Sequence, residues 1–403
     1  MYSKFHKLLW FFNGCFLIMF FSCKRTAEPF YTVSVTNDLD ISRSNESIEI
    51  WLDQLDIQFK KVEEYKVLDK HGKVVLSQTV DINSDSIGDY LLFQTHIDAK
   101  ESKTFTLKRV QNPDVKIDYS NYTYSRFVPE RMDDFAWEND KVAFRTYGPE
   151  CQRLYEAGDA SGLISSGIDC WLKRVDYPII DAWYANYQKG ISYHEDRGEG
   201  LDNYHVGTTR GCGGTSLICE GKSILSENFA SWKIIANGPI RTIFELNYEP
   251  IDACENKVSE KKTISIDLGS HFYHCDVSYT SNIALKAASA GITLHKGAGT
   301  IKFDKKEGWI SYWEPLDDSF LGTAVLLDPK SALNYDLDTS IHEDERLNNI
   351  NIYSVLTNNG FSYWAGFGWK KQGDFTDYDD WTKHLKETSL KMNNPLKIEI
   401  IKE

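Results

Sequence analysis

Basic charge is in deficit throughout this chain: 45 lysines and arginines face 59 acids, giving a net charge of −14 over 403 residues. Nucleic acid is excluded as a partner, because neutralising phosphates takes basic patches. An anionic ligand stays compatible only where local cations oppose the overall field. Cysteine is sparse and unpatterned. After Cys23 come Cys151, Cys170, Cys212, Cys219, Cys254 and Cys275, with no CxxC pair to hold a structural zinc and no spacing of a small stapled scaffold. Most are expected to be buried thiols. Fixed-period repeats, a Pro/Ser/Gly linker and regular βα alternation are also lacking, which leaves no sign of a solenoid, a tethered second module or a parallel sheet.

Long apolar runs are lacking too, apart from Leu8 to Phe21 near the start. That run falls short of the ~20 residues a bilayer core requires. Lys4, His6 and Lys7 precede it and Phe-Ser-Cys follows, the pattern of an export signal. Residues 1–22 are therefore expected to be a signal peptide of lipoprotein type, with Cys23 the lipidated first residue of the mature chain. The alternative is a cleaved signal without lipid. In the first case the protein is an outer-membrane lipoprotein, facing the periplasm or the cell surface, that meets the membrane only through its anchor.

What the chain does have is strands. YTVSV, SIEIWL, KVVLSQTVDI, YLLFQTHI and KTFTLKRV alternate between Phe30 and Val110, punctuated by the turns DKHGK and NSDSIGD. KVAFRTYGPE continues the series, and longer strands follow from Ser231 onward. Between them, GIDCWLKRVDYPIIDAWYANYQ carries Ile168, Trp171, Leu172, Ile179, Ile180, Trp183 and Tyr184 at helical and mixed spacing, with Pro178 near a helix start. A clear helix is expected only near the end, capped by Thr376, with Trp381 and Leu385 on one face, before a last strand LKIEIIK. The expected fold is mainly β, with residues 23–403 forming packed antiparallel sheets and a few short helices. The high aromatic content suits both a β-rich core and sugar stacking.

One stretch fits neither strand nor helix. YHEDRGEGLDNYHVGTTRGCGG, Tyr193 to Gly214, gathers His194, His205, Arg197, Arg210, four acids and six glycines in 22 residues. Glycine costs a helix interior ~1 kcal/mol per residue, and the segment holds too little apolar material for a buried strand. It reads as a loop that approaches a ligand closely, converging imidazole, carboxylate and guanidinium groups. Two histidines among carboxylates also leave a divalent metal open as an alternative.

GIDCWLKR at Gly167–Arg174, the loop itself, GWISYWEP at Gly308–Pro315 and YWAGFGWKKQGDF at Tyr363–Phe375 together resemble a bacterial domain-of-unknown-function family whose characterised members are ulvan oligosaccharide dehydratases. His271 and His274 lie outside these stretches. The resemblance implies a large antiparallel β-sandwich of galactose-mutarotase-like type forming one catalytic domain, 23–403. It also implies elimination of water from the terminal glucuronic or iduronic acid of a sulfated oligosaccharide. The 4,5-unsaturated product would pass to unsaturated-uronyl hydrolases.

That reaction needs a group to neutralise the carboxylate, a base for the C5 proton and an acid for the departing 4-hydroxyl. Arg210 is the expected carboxylate clamp, because a guanidinium holds a carboxylate bidentately. His194 and His205 are the candidate bases, and Tyr204 or the second histidine is the candidate acid. Asp196, Glu199 and Asp202 are expected to orient these groups, with Asp196 and Glu199 bordering the substrate. Trp171, Trp313 and Trp369 are expected to stack on sugar rings or to sit in the core. Lys173, Arg174 and Lys370 are expected to meet sulfate or a second carboxylate, and Glu314 to bind a hydroxyl. No cofactor is expected. A polysaccharide lyase, a hydrolase using Glu195 with Glu199, and a non-catalytic glycan-binding lipoprotein are the competing classes.

Overall fold

The computed structural model describes residues 30–55, 65–110, 119–336 and 340–403, so the expected signal peptide and Cys23 lie outside the described residues. Alternation from Phe30 to Val110 does produce strands. Val33 and Val35 on Tyr31–Thr36, Ile48 and Ile50 on Arg43–Trp51, and Phe105 and Leu107 on Ser102–Arg109 point into one shared core while their neighbours face outward. The strand Lys397–Lys402 pairs with Tyr31–Thr36 and so joins the last described strand to the first. These strands form a small sandwich of a four-stranded and a three-stranded sheet.

The larger body is built on an antiparallel sheet of nine strands, which runs from Phe229–Asn237 at one edge to Thr300–Asp304 at the other. Its inner face presents Phe244, Ile264, Tyr273, Tyr363, Phe367 and Trp369. Two five-stranded sheets supply the opposite wall. One contributes Phe135, Trp137, Phe144, Cys170 and Leu172, and the other Cys212, Leu217, Ala288, Ala290, Ile292 and Ile352. The fold is thus mainly β, a large antiparallel sandwich. The seam between the two five-stranded sheets is closed by a parallel bridge from Ile168 to Gly211.

Three local expectations are corrected. Asp169–Lys173 is a fully buried strand and not a helix, and the helix begins later, at Ile180–Tyr187. A strand buried on both faces loses its period-two signature, which is why the apolar run read as helical. KVAFRTYGPE yields a short strand, Ala143–Thr146, and then Pro149 opens the helix Pro149–Glu156. The last helix, Tyr378–Asn393, buries Trp381 and Leu385 as expected, but its N-cap is Asp377, whose carboxylate accepts from the Asp379 and Asp380 amides. Most of the six cysteines are buried thiols as expected, Cys151, Cys170, Cys212 and Cys275, and the other two, Cys219 and Cys254, form a disulfide.

Candidate functional site

The glycine-rich loop spans the seam. It leaves one five-stranded sheet through the two-residue edge strand Gly200–Leu201 and enters the other at Cys212. At the crossing, Gly211 has φ 61°, and a Cβ there would stand 2.0 Å from the Ile168 carbonyl oxygen, so the seam closes only on glycine. Side chains set the loop's course. Asp196 accepts from the Gly198 amide (2.9 Å), the Gly200 amide (3.2 Å) and the Arg174 guanidinium (3.0 Å). Glu199 accepts from the Tyr177 hydroxyl (2.8 Å) and the Trp183 indole (3.0 Å). Arg174, Asp196 and Glu199 therefore have their hydrogen bonds committed to shaping the loop. Glu195 pairs with Arg197 at the surface.

Behind His194 lies a buried charged cluster. Arg145 donates to Asp169, to Asp202 (3.2 Å) and to the Tyr193 hydroxyl (3.1 Å), and approaches Asp134 at 3.7 Å. Burial opposes the Arg145 charge, but the three carboxylates outweigh it and hold its pKa far above the ordinary value. Burial, followed by the neighbouring Asp169, pushes the Asp202 carboxyl well up. The Nδ1 of His194 lies 2.6 Å from the Asp202 backbone carbonyl. A carbonyl only accepts, so Nδ1 carries a proton and donates it to that bond.

On the other side of the same loop a cavity of about 440 Å³ opens, lined by Asn203, His205, Thr209, His295, Lys296 and Glu314 among others. His295 follows the strand Ala287–Thr293 and sits at φ 44°, a strained conformation for a non-glycine residue. Its Nδ1 is 2.7 Å from a Glu314 carboxylate oxygen and its Nε2 is 2.8 Å from the His205 backbone carbonyl. With an acceptor on each nitrogen the ring is held as imidazolium. Burial works against that charge, but the Glu314 hydrogen bond and charge prevail and raise the His295 pKa. Tyr204 packs its ring edge-on against His295 at 4.8 Å. The Tyr204 phenol is buried, and burial pushes it well up. The His205 ring is exposed, with Nε2 4.0 Å from Glu345.

The structure thus brings His205 and Glu314 together in the cavity and adds His295 and Lys296, while Tyr204 lies in the core behind His295 and does not line the cavity. Neither addition was expected from the sequence. The available signal was a histidine-lysine pair placed where the apolar strand AGITL meets the glycine turn KGAG.

Other expected site residues are placed elsewhere. Arg210 is not a clamp in this cavity. It is buried, its Cγ abuts Gly291, and its charge faces Tyr353 and Asp336, with burial lowering its pKa to about 10. Lys173 is wholly buried and spends its ammonium on Glu138, the Asn139 carbonyl and the Tyr177 carbonyl, each at 2.8 Å, which leaves no donor for a ligand. Trp171 is packed among Trp183, Tyr184 and Tyr193, and Trp369 lies in the sandwich core. Trp313 stacks between Phe320 and Tyr378, so both its faces are taken. These tryptophans hold the fold and do not form a sugar platform. No cluster of three or more His, Cys, Asp or Glu side chains arranged to hold a metal occurs among the described residues.

Fold and cavity together define a β-sandwich protein with a polar, histidine-bearing pocket built on the seam of its sheets. The chain belongs to the family described as domain of unknown function DUF4861, whose profile matches residues 35–398. It is 41% identical over 390 residues to a protein of Formosa agariphila named uncharacterized protein P7, covering 95% of this chain and 96% of that one. Among solved structures it resembles a protein in glycosyl hydrolase family 38 from Enterococcus faecalis, with a TM-score of 0.50 at 8% identity over 92% of this chain. The chain spans about half, 47%, of that structure's length, and at this identity the likeness is one of fold.

Proposed function

We propose that this protein is a hydro-lyase that removes water from the non-reducing-end glucuronic or iduronic acid of an ulvan-type sulfated oligosaccharide. The observation that supports this most is the pairing, in one cavity, of an imidazolium held by Glu314 with the exposed, unclamped imidazole of His205. The substrate carboxylate sits against His295 and Lys296, whose charges stabilise the enolate-like transition state in place of the expected arginine. His205 takes the C5 proton and returns it to the departing 4-oxygen. The C–H and C–O bonds break, the C4=C5 bond forms, and water leaves. A cavity of about 440 Å³ is within the range of small-molecule sites and suits the end of a saccharide. The protein acts outside the cytoplasm, anchored through Cys23; the Cys219–Cys254 disulfide is of the kind that persists in oxidising compartments.

The test is mass spectrometry of uronate-terminated sulfated oligosaccharides after incubation with wild type, His205→Ala and Glu314→Gln. The expected product is lighter by one water, absorbs as a conjugated double bond and forms only slowly with the variants. Binding without any mass change removes the enzyme reading, and a shortened chain makes the protein a lyase instead.

A further inference from the structure

A second cleft, of about 540 Å³, lies on the outer face of the nine-stranded sheet and shares no lining residue with the first. Its floor is a row across three adjacent strands: Ser265 pairs with His274, and His274 with Trp364. The His274 ring rests 4.4 Å from the Trp364 indole, and the indole N–H has no hydrogen-bond partner among the described residues. One wall is the small sandwich and the other is the helix Tyr378–Asn393. Arg43 joins the two walls. It is almost fully buried on the strand Arg43–Trp51 and donates to the Lys391 carbonyl (3.2 Å) and the Asn394 carbonyl at the helix end.

Charge pairing within the cleft is uneven. Its acids are committed: Glu46 to Arg43 at 3.4 Å, and Asp267 and Glu49 both to Arg241 at 2.5 Å. The Lys391 ammonium has no acidic partner among the described residues, and the buried Nε2 of His384 has no hydrogen-bond partner. The hydroxyls of Ser265 and Thr388 likewise make no hydrogen bond to a described residue. An indole with a free N–H, two unspent hydroxyls and an uncompensated ammonium are what a sugar ring with one negative substituent takes. Clefts at the junction of structural units are also where ligands tend to bind.

We propose that this cleft is a second saccharide site, specific for a pyranoside bearing a carboxylate, with Trp364 beside the ring and Lys391 on the anion. The identity of the sugar class rests on the uronate reading of the first cavity, while the site itself rests on its own residues. The probes are methyl glucuronide and methyl glucoside, which differ only in the charged group. Hydrogen exchange of the full chain, read by mass spectrometry, separates the two cavities by peptide.

With methyl glucuronide, exchange is expected to slow in peptides covering 360–366 and 384–392. The glucoside is expected to bind there about ten-fold more weakly, the worth of one charge-assisted hydrogen bond. Lys391→Gln, at a half-buried position on the helix, is expected to erase the difference between the two sugars. No slowing in these peptides at concentrations that protect 203–209 overturns the proposal, as does an unchanged preference in Lys391→Gln. Absence of the dehydrated product, by contrast, bears on the first cavity and leaves this readout intact.

Discussion

Glu314→Gln probes the charge on His295 without changing the shape of the pocket. Glutamine keeps an oxygen within reach of Nδ1–H and removes the negative charge that lies 2.7 Å from the ring. Both side chains are nearly buried, at 5% exposure for Glu314 and 14% for His295, so solvent screens the pair weakly. Hydrogen bonds to charged groups contribute ~1.5–3 kcal/mol against ~1 for neutral ones, so the substitution costs the imidazolium about 1–2 kcal/mol. If that cation stabilises the transition state, kcat/KM falls about 5- to 30-fold at neutral pH.

The pH dependence carries the sign. His295 has a folded pKa raised above its unfolded value. Its contribution to stability is therefore full below pH ~6.5 and is lost as pH rises through the folded pKa. Denaturant unfolding of wild type and variant should differ at acid pH and converge in alkali. The alkaline limb of kcat/KM should move to lower pH in the variant. An unchanged limb together with an unchanged rate would refute the role given to His295.

Lys173→Met should destabilise the protein by ~3–5 kcal/mol in urea unfolding, because it strands the buried Glu138 carboxylate, while KM stays at the wild-type value wherever the variant is folded; a raised KM with intact stability would restore Lys173 to the binding site. Asp134 has its carboxyl raised to about 6, chiefly by burial. The sign is that the folded state binds this proton more tightly, so stability from the group is full below pH ~3.9 and is lost as pH rises through 6. Asp134→Asn should therefore be more stable than wild type at pH 8, by a few kcal/mol, and indistinguishable from it in acid. Replacing Cys219 and Cys254 by serine opens a loop of 35 residues and should cost ~3–4 kcal/mol, read as a lower denaturation midpoint; an unchanged midpoint would show that the cross-link does not restrain the unfolded chain.

Strands with one more open face were legible in the sequence, and the short strand buried at every position was not. YTVSV lies in the strand Tyr31–Thr36 as read, because alternation survives where the other face is more open to water. DCWLK, buried at every position, gave no period to detect. The site divides in a similar way. The glycine loop announced itself by residue types that no core accommodates, and His205 comes from it. His295 arrives from a strand 90 residues away and is recognisable only once Glu314, on a different sheet, stands beside it. Arg210 misled because residue type alone does not tell the direction of a side chain. Gly211 turns the backbone next to it, and the guanidinium charge faces Tyr353 and Asp336 instead of the cavity.

The position of the cavity follows from the same seam. Two five-stranded sheets that face one larger sheet must meet edge to edge, and sheet edges leave amides and carbonyls that need partners. Ile168 and Gly211 satisfy each other across the seam, and Thr293, through its hydroxyl, accepts from the Gly211 amide at 2.8 Å. Asn349, on the next strand, accepts from the Arg210 amide at 2.8 Å. A segment so densely tied through its backbone has little freedom left, so the side chains it carries outward, Asn203, His205 and Thr209, are presented on a fixed frame. The residues that close the sandwich are therefore the ones that hold the pocket rigid. Side chains placed there need no lid to order them before a ligand arrives.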